Sequence, residues 1–296
     1  MKIKVLSLFD GISVAQQALK ELGYDVEYYA SEIDKYAIQI TQKNHPNTIQ
    51  WGSVTTIDGT YFTKDGGGEI DLLIGGSPCQ DLSISQSKKR KGLSGSKSSL
   101  FYEYLRILKE IKPRYFVLEN VASMSDESRD IITNELGVLP IELNAKDFSA
   151  QNRARYFWSN LPIEQPVNTS NLVLKDILQH HTDVDEKYWY KNVPFTAIIP
   201  SEKSVVGTIN VSGHDILKRI YNWDCKSPTI TTCGGGNTQH KILDRGGVRK
   251  LTTIEYERLQ SLPDNYTEGI SNSQRYKCLG NAFNKEVVKH ILKNIK

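Results

Sequence analysis

Four side chains in this sequence are of types that do chemistry and stand where chemistry is done. In "LLIGGSPCQDLS", residues 72–83, an apolar run breaks at Gly75 and Gly76, and Cys79 then follows Pro78 and precedes polar Gln80 and Asp81. A thiol reacts as its thiolate, and a loop next to a helix start and cationic side chains favours that form. The cations are close in sequence: Lys88, Lys89, Arg90 and Lys91 follow in the same polar stretch. A lone cysteine is more often an inert buried one, but here polar and basic residues follow rather than more core. Glu119 closes a second apolar run, "RYFVLEN" at 114–120, where a carboxyl group suits an acid or hydrogen-bond partner for a ring held between it and Cys79. Arg153 and Arg155 alternate in "QNRARYFW" at 151–158, which puts both on one strand face. Such a pair suits anion or substrate positioning, and a solvated face is the plainer reading.

Two further features read as a cofactor half. Glu32 ends "DVEYYASE" at 25–32, the place of an acid that bonds ribose hydroxyls, and equally of a cap for a helix starting near Asp34. "FDGIS" at 9–13 is a glycine turn after an apolar strand, but it is not a GxGxxG loop. That disfavours a dinucleotide and leaves room for a nucleoside cofactor without a pyrophosphate.

These positions need a scaffold that brings strand ends to one edge. "KIKVLSLF" (2–9), 25–32, "TIQW" (48–51), "DLLIGG" (71–76) and 114–120 read as strands. Helical spacing over 14–22, 34–44, 99–112 and 127–136 separates them, with stops at Gly23, Pro46 and Pro113. The alternation predicts an α/β fold, a parallel sheet with helices on both faces, whose ligands lie beyond the carboxyl ends of the strands. "PIELNAKDF" and "RARYFW" are late strands. From about 161 to 249 periodicity weakens and turn residues multiply, which predicts a smaller second domain; helices return at 251–260 and 284–295.

With 296 residues, 39% hydrophobic, the chain can bury a sizeable core. Net charge is only +3, and the cysteines at 79, 225, 233 and 278 have neither metal-ligand spacing nor a disulfide framework. No metal is expected. No run approaches the roughly 18 apolar residues of a membrane span, so a cytoplasmic protein without a membrane partner is expected.

Taken together the motifs resemble the cytosine-5 DNA methyltransferase family, in that family's order from end to end. "LFDGIS" resembles its first cofactor motif, "ASEID" its ribose acid, "GGSPCQDLS" its Pro-Cys loop and "VLENV" its Glu-Asn-Val motif. "QNRARYFW", "RKLTTIEYERLQSLPDNY" (249–266) and "LGNAF" (279–283) resemble its last three. The style of the C-terminal motifs is bacterial or phage, and the catalytic motifs are also similar to animal de novo enzymes.

The resemblance implies a Rossmann-like methyltransferase sheet that uses S-adenosylmethionine and releases S-adenosylhomocysteine. It makes Cys79, Glu119, Arg153 and Arg155 catalytic, with Cys79 adding to carbon 6 of a flipped-out cytosine. Phe9, Asp10, Gly11, Ile12, Glu32, Ile33, Ser53, Gly76, Pro78, Leu100, Asn281 and Ala282 would line the cofactor site. Ser53 departs from the aspartate common there, which puts the usual adenine contact in doubt. Lys88, Lys89, Arg90 and Lys91 would meet phosphates of double-stranded DNA, and Thr229 and Thr231 the bases. The implied organisation is a catalytic domain over 1–161, completed by 267–296, a target-recognition domain over 162–250 and a hinge over 251–266. A monomer is expected, with a separate restriction endonuclease as the partner such a system would bring. The rivals are a tRNA cytosine-5 methyltransferase of the same fold and a folate-dependent pyrimidine nucleotide enzyme, which leaves "ENV" and "GNAF" unexplained. A non-catalytic DNA-binding regulator has no support, because all four catalytic residues are present.

Overall fold

A computed structural model describes residues 1–62, 68–78, 100–198, 202–233 and 237–296; Cys79 and the basic run 88–91 lie outside these residues. The chain divides into two compact units. The first comprises 1–144, 154–165 and 287–296, and the second 145–153 and 166–286.

The first unit is the expected α/β sheet. Its strands are β1 (Lys2–Leu8), β2 (Asp25–Ser31), β3 (Ile49–Gln50), β4 (Leu72–Gly76), β5 (Tyr115–Val121), β6 (Ile141–Asn144) and β7 (Ala154–Ser159), ordered β3-β2-β1-β4-β5-β7-β6. β1 to β5 run parallel, and β7 pairs antiparallel with both β5 and β6. The helices α1 (Val14–Glu21), α2 (Lys35–Asn44), α3 (Leu100–Ile111) and α4 (Asp126–Leu136) connect them.

Local chemistry sets these boundaries. Asp34 caps α2 by accepting from the Tyr36 amide, and Ser125 caps α4 by accepting from Ser128. Gly137, at φ 70°, ends α4 in the left-handed conformation that glycine adopts without steric cost. α3 turns Phe101, Tyr104, Leu105, Ile107 and Ile111 inward at helical spacing. On its outer face Arg106 bonds Glu103 and Glu110. The core joins Leu6, Leu8, Leu73, Leu118 and Trp158 of the sheet to Phe101 and Tyr104 of α3. Each such large apolar side chain contributes about 1.5–3 kcal/mol on burial.

The second unit carries a five-stranded sheet in the order β12-β11-β10-β9-β8: β8 (Phe195–Ala197), β9 (Val205–Ile209), β10 (Arg219–Tyr221), β11 (Lys241–Asp244) and β12 (Gly247–Lys250). It also contains α5 (Thr253–Leu259) and α6 (Asn272–Asn281); α7 (Lys285–Leu292) starts there and continues into the first unit. A capping box, Thr252 with Glu255, starts α5. α6 escapes the sequence pattern because "NSQRYKCLGN" has no clean apolar stripe: its inner face mixes Tyr276 and Leu279 with Arg275 and Gly280.

Candidate active site

The carboxyl ends of β4 and β5 are adjacent, with Gly76 paired to Glu119. The strand that leads to Cys79 therefore neighbours the strand that carries Glu119, as expected, although β5 runs two residues past Glu119 to Val121. The turn after β4 is tied to β5 by Asn120, which is fully buried. Its Nδ2 donates to the Ser77 carbonyl at 3.3 Å and the Ser77 Oγ at 3.0 Å, and its Oδ1 accepts from Val121 N at 2.8 Å. Gly75 has a packing reason to be glycine. A Cβ there would lie 2.8 Å from the Leu8 carbonyl oxygen and 3.3 Å from the Tyr104 ring, so its absence serves core packing.

Glu119 pairs with Arg155. Nε of Arg155 donates to Oε1 of Glu119 at 2.8 Å, while its Nη1 donates to the Ala154 carbonyl at 2.7 Å. In the β5–β7 register Glu119 faces Phe157 and Arg155 faces Val121, so the ion pair is diagonal on one face of the antiparallel ladder. One carboxylate oxygen is thereby anchored and the group keeps further acceptor capacity.

The cofactor-type residues of the first unit gather around two strand ends. Phe9, Gly11 and Ser13 have φ of 56°, 61° and 54°, so the turn after β1 is built from left-handed residues, two of them not glycine. Asp10 holds that turn. Its Oδ1 accepts from the Tyr28 hydroxyl at 2.8 Å and its Oδ2 from the Ser13 hydroxyl, and burial raises its pKa against the lowering by these hydroxyls. Glu32 accepts from the Gly11 amide at 2.8 Å, and from Ile33 and Asp34 amides at 2.7 and 2.8 Å. It is thus tied both to the β1 turn and to the backbone entering α2, whose N-cap is Asp34 rather than Glu32.

Three bonds leave about one of a carboxylate's roughly four acceptor positions. Beside it Ile33 is 76% exposed, and the space next to Gly11 is open to beyond 4 Å from an added Cβ. One free acceptor, an exposed apolar side chain and an open glycine turn fit an adenosyl group. Ile12 is buried, and Phe9 and Leu100 pack half-buried on the main core. Ser53 caps the 3-10 turn Val54–Thr56, accepting from Thr55 N at 3.3 Å and contacting the Thr55 hydroxyl at 2.8 Å. Its side chain serves its own turn first.

Arg153 does not share a strand face with Arg155. β7 begins at Ala154, and Arg153 belongs to the second unit, where it is 5% exposed. Its Nη1 donates to the Ile230 carbonyl at 3.3 Å, and its Nη2 to the Gly280 and Ala282 carbonyls at 3.2 and 3.0 Å. The alternation of "RAR" predicts a common face only while the strand continues, and it does not continue to residue 153. Neighbouring Gln151 accepts from Ile230 N at 3.2 Å and donates to Leu259 O and Gln260 Oε1. Thr229 gives its hydroxyl to the Asn152 carbonyl at 2.7 Å, whereas Thr231 is exposed. Asn281 is exposed and Ala282 buried.

The structure thus groups Glu119 with Arg155, and Asp10, Gly11, Glu32 and Ile33 with one another, in the first unit. It groups Arg153 with Ile230, Gly280 and Ala282 in the second. Asn120 and Gln151 are the residues sequence reasoning passed over. Their signal is a primary amide within or beside an otherwise apolar run, where a buried amide must find partners. Among the described residues no cluster of histidine, cysteine, aspartate or glutamate could hold a metal ion. No helix among them is long and apolar enough to cross a membrane.

A family model described as C-5 cytosine-specific DNA methylase matches residues 3–296. The orphan methyltransferase M.SPRI of Bacillus phage SPR is 32% identical over 294 residues, covering 79% of this chain and 65% of the relative. The chain therefore spans just under two thirds of that relative's length. The orphan methyltransferase M.SPBetaI of Bacillus phage SPbeta is 26% identical, covering 99% of this chain and 97% of the relative. Among solved structures, the Entamoeba histolytica methyltransferase EhMeth has a TM-score of 0.75 at 19% identity, covering 100% of this chain and 98% of that one. The S. pombe Dnmt2 methyltransferase has a TM-score of 0.68 at 19% identity, covering 98% and 97%. At that identity the likeness is one of fold.

Proposed function

The chain belongs to the C-5 cytosine-specific DNA methylase family, and from that premise we propose that it methylates carbon 5 of cytosine in double-stranded DNA, with S-adenosylmethionine as methyl donor. The observation that carries the reading is the Glu119–Arg155 pair, whose carboxyl group stands on β5, the strand adjacent to the one leading to Cys79. A carboxyl group fixed in direction by a guanidinium, beside the strand that delivers a thiol, suits addition to a pyrimidine ring.

The target base leaves the duplex, as a base must for chemistry on its ring atoms. The Cys79 sulfur forms a bond to carbon 6 while Glu119 holds a proton at nitrogen 3, so the ring electrons move to carbon 5 and make it nucleophilic. The cofactor, when bound, supplies the electrophilic methyl group that carbon 5 takes. A water-borne base then removes the carbon 5 proton, the carbon 6–sulfur bond breaks, and Cys79 leaves as thiolate. Arg155 holds the Glu119 carboxyl in line throughout, and Asn120 holds the Ser77–Pro78 turn.

On this reading Phe9, Gly11, Ile12, Glu32, Ile33, Gly76, Pro78 and Leu100 are the cofactor-binding residues of the first unit, and Asn281 and Ala282 are those of the second. Ser53 reaches adenine only with whatever capacity its own turn leaves it. Asp10 acts by holding the turn. The basic run 88–91 supplies salt-dependent attraction to phosphates, and the second unit reads the target, with Thr231 the better placed of the two threonines. "Orphan" in the names of the phage relatives supports a stand-alone enzyme over one half of a restriction pair. Its place is the cytoplasm, where that DNA lies.

The test is incubation of the chain with tritiated S-adenosylmethionine and, separately, duplex DNA, tRNA and dCMP, followed by bisulfite sequencing of the DNA. Label in DNA alone is expected; label in tRNA but not DNA overturns the proposal. Cys79→Ser should abolish transfer, and duplexes with fluorinated cytosine should trap the wild-type chain covalently. Normal turnover by Cys79→Ser would remove the thiol from the mechanism.

A further inference from the structure

Two segments of the second unit that the proposed function gives to different ligands are bound to one another by buried polar groups. One is 229–232, assigned to DNA; the other is 280–282, assigned to the cofactor. Arg153 touches both, through the Ile230 carbonyl on one side and the Gly280 and Ala282 carbonyls on the other. A guanidinium is a rigid planar fork, so its donors cannot follow two carbonyls in different directions. Charge-assisted bonds of this kind in a buried site are costly to stretch.

Two amides run alongside the arginine. Gln151 takes the Ile230 amide and donates to Gln260 at 3.1 Å. Gln260 in turn donates to the Leu279 carbonyl at 2.7 Å and the Ala282 carbonyl at 3.1 Å. Ile230, Gln151 and Gln260 are all at most 1% exposed. The two segments are therefore joined twice, once through Arg153 and once through the amide chain.

Gly280 makes the third connection, by contact. A Cβ at this position would lie 2.3 Å from the Thr231 carbonyl carbon, 2.4 Å from its oxygen and 2.5 Å from the Thr232 nitrogen. These are backbone atoms, so no rotamer change relieves the clash. The glycine of "LGNAF" is where the 231–232 backbone rests on the end of α6. Each segment also presents an exposed residue next to its clamped one: Thr231 beside Ile230, and Asn281 between Gly280 and Ala282.

We propose that Arg153 and Gly280 make residues 229–232 and 280–282 one mechanical block, so that cofactor binding at the second segment and DNA binding at the first strengthen each other. Arg153 is then a positioning residue. The proposal rests on the functional reading above and deepens it by naming how the two ligands are coupled. Coupling of binding equilibria is reciprocal: the factor by which S-adenosylhomocysteine tightens DNA equals that by which DNA tightens S-adenosylhomocysteine. A factor of about fivefold or more is the expected size.

The experiment uses the full chain with S-adenosylhomocysteine and fragments of unmethylated bacterial genomic DNA. Backbone amide exchange over 230–232 is followed with and without S-adenosylhomocysteine, and the affinity of each ligand is measured with and without the other. In the wild type S-adenosylhomocysteine should slow exchange at 230–232, and the two affinity ratios should agree. Arg153→Met should bring both ratios towards one and remove that slowing, with Arg153→Lys in between because an ammonium cannot span both segments. Gly280→Ala should do the same by a different route, so that failure of one variant to fold leaves the other. Binding of S-adenosylhomocysteine by the wild type with no change at 230–232 overturns the coupling, as does a folded Arg153→Met with unchanged ratios. A wild type that binds no S-adenosylhomocysteine overturns the functional reading itself, which is a different result.

Discussion

Arg155 and Glu119 hold each other at 2.8 Å across the β5–β7 ladder, and the pair is nearly closed to water, the side chains being 16% and 13% exposed. A carboxyl group so placed has a fixed direction, and its remaining acceptor positions point where the partner leaves them. The pair acts as a unit, which makes its variants non-additive.

Glu119→Gln keeps the shape and loses the proton-holding carboxyl group. Single-turnover methylation should fall about 10²–10⁴-fold, the usual range for a positioned acid or base. Arg155→Ala should lose a large part of the same factor, and the double variant should be little slower than Glu119→Gln alone. Rates that multiply instead would show two independent contributions.

Asn120→Ala should cost stability and rate together, although Asn120 is given no contact with substrate. It leaves the buried Ser77 groups and the Val121 amide without their partner, a loss of about 1–3 kcal/mol. Urea midpoints measure the first effect, and single-turnover rates at a temperature where the variant stays folded measure the second. An unchanged rate in the folded variant would make Asn120 a purely structural tie.

Arg249 is fully buried between Asp244 and Glu255, with Nε to Asp244 at 2.7 Å and Nη2 to Glu255 at 2.8 Å. Removing one partner of a buried ionic group leaves the other charges uncompensated, at about 3–5 kcal/mol. Arg249→Ala should therefore lower the chemical-denaturation midpoint of the second unit markedly. An equally stable variant would mean that water replaces the guanidinium there.

Acid should unfold the chain in a window set by two histidines. Burial, with the Lys20 charge adding, lowers the His45 pKa to about 4; burial, with the Lys241 charge adding, lowers that of His240 to about 3. Both folded values lie below the ordinary 6.5, so between them and 6.5 the unfolded chain binds more protons. Stability from this source is complete above about 6.5 and falls as pH drops towards 4 and then 3. Denaturant midpoints between those limits measure the slope, and His240→Gln should reduce it by about one proton, roughly 1.4 kcal/mol per pH unit. An unaltered slope would place the acid sensitivity elsewhere.

Much of the first unit was legible because its elements are the kind that periodicity reports. β1, β2 and β5 are seven-residue strands rich in apolar and aromatic side chains, and α3 has five inward residues at helical spacing. The adjacency of the strands that carry Gly76 and Glu119 was legible because they are consecutive strands of a parallel sheet, whereas the placing of β4 beside β1 is not in the alternation. The second unit was not legible in the same way. Its strands are three to five residues long, too short for a period to declare itself, and its cohesion lies in buried polar groups such as Gln151, Gln260 and Arg249. Polar residues read as loop in a sequence, and only pairing across long separations reveals that they are interior. Arg153 failed for a related reason. Two arginines two residues apart look equivalent until the chain leaves the strand between them.

The first unit takes its last ten residues, 287–296, from the stretch of chain that follows the second unit in sequence. Ile291 and Leu292 are buried there, the Ile295 carbonyl accepts from the Tyr24 hydroxyl at 3.0 Å, and Lys289 pairs with Glu21 at 3.1 Å. A ribosome delivers Tyr24 and Glu21 first and their partners after more than two hundred and sixty further residues. During synthesis, then, the second unit can settle while the first still has an open flank, and the older part of the polypeptide is finished by the newer.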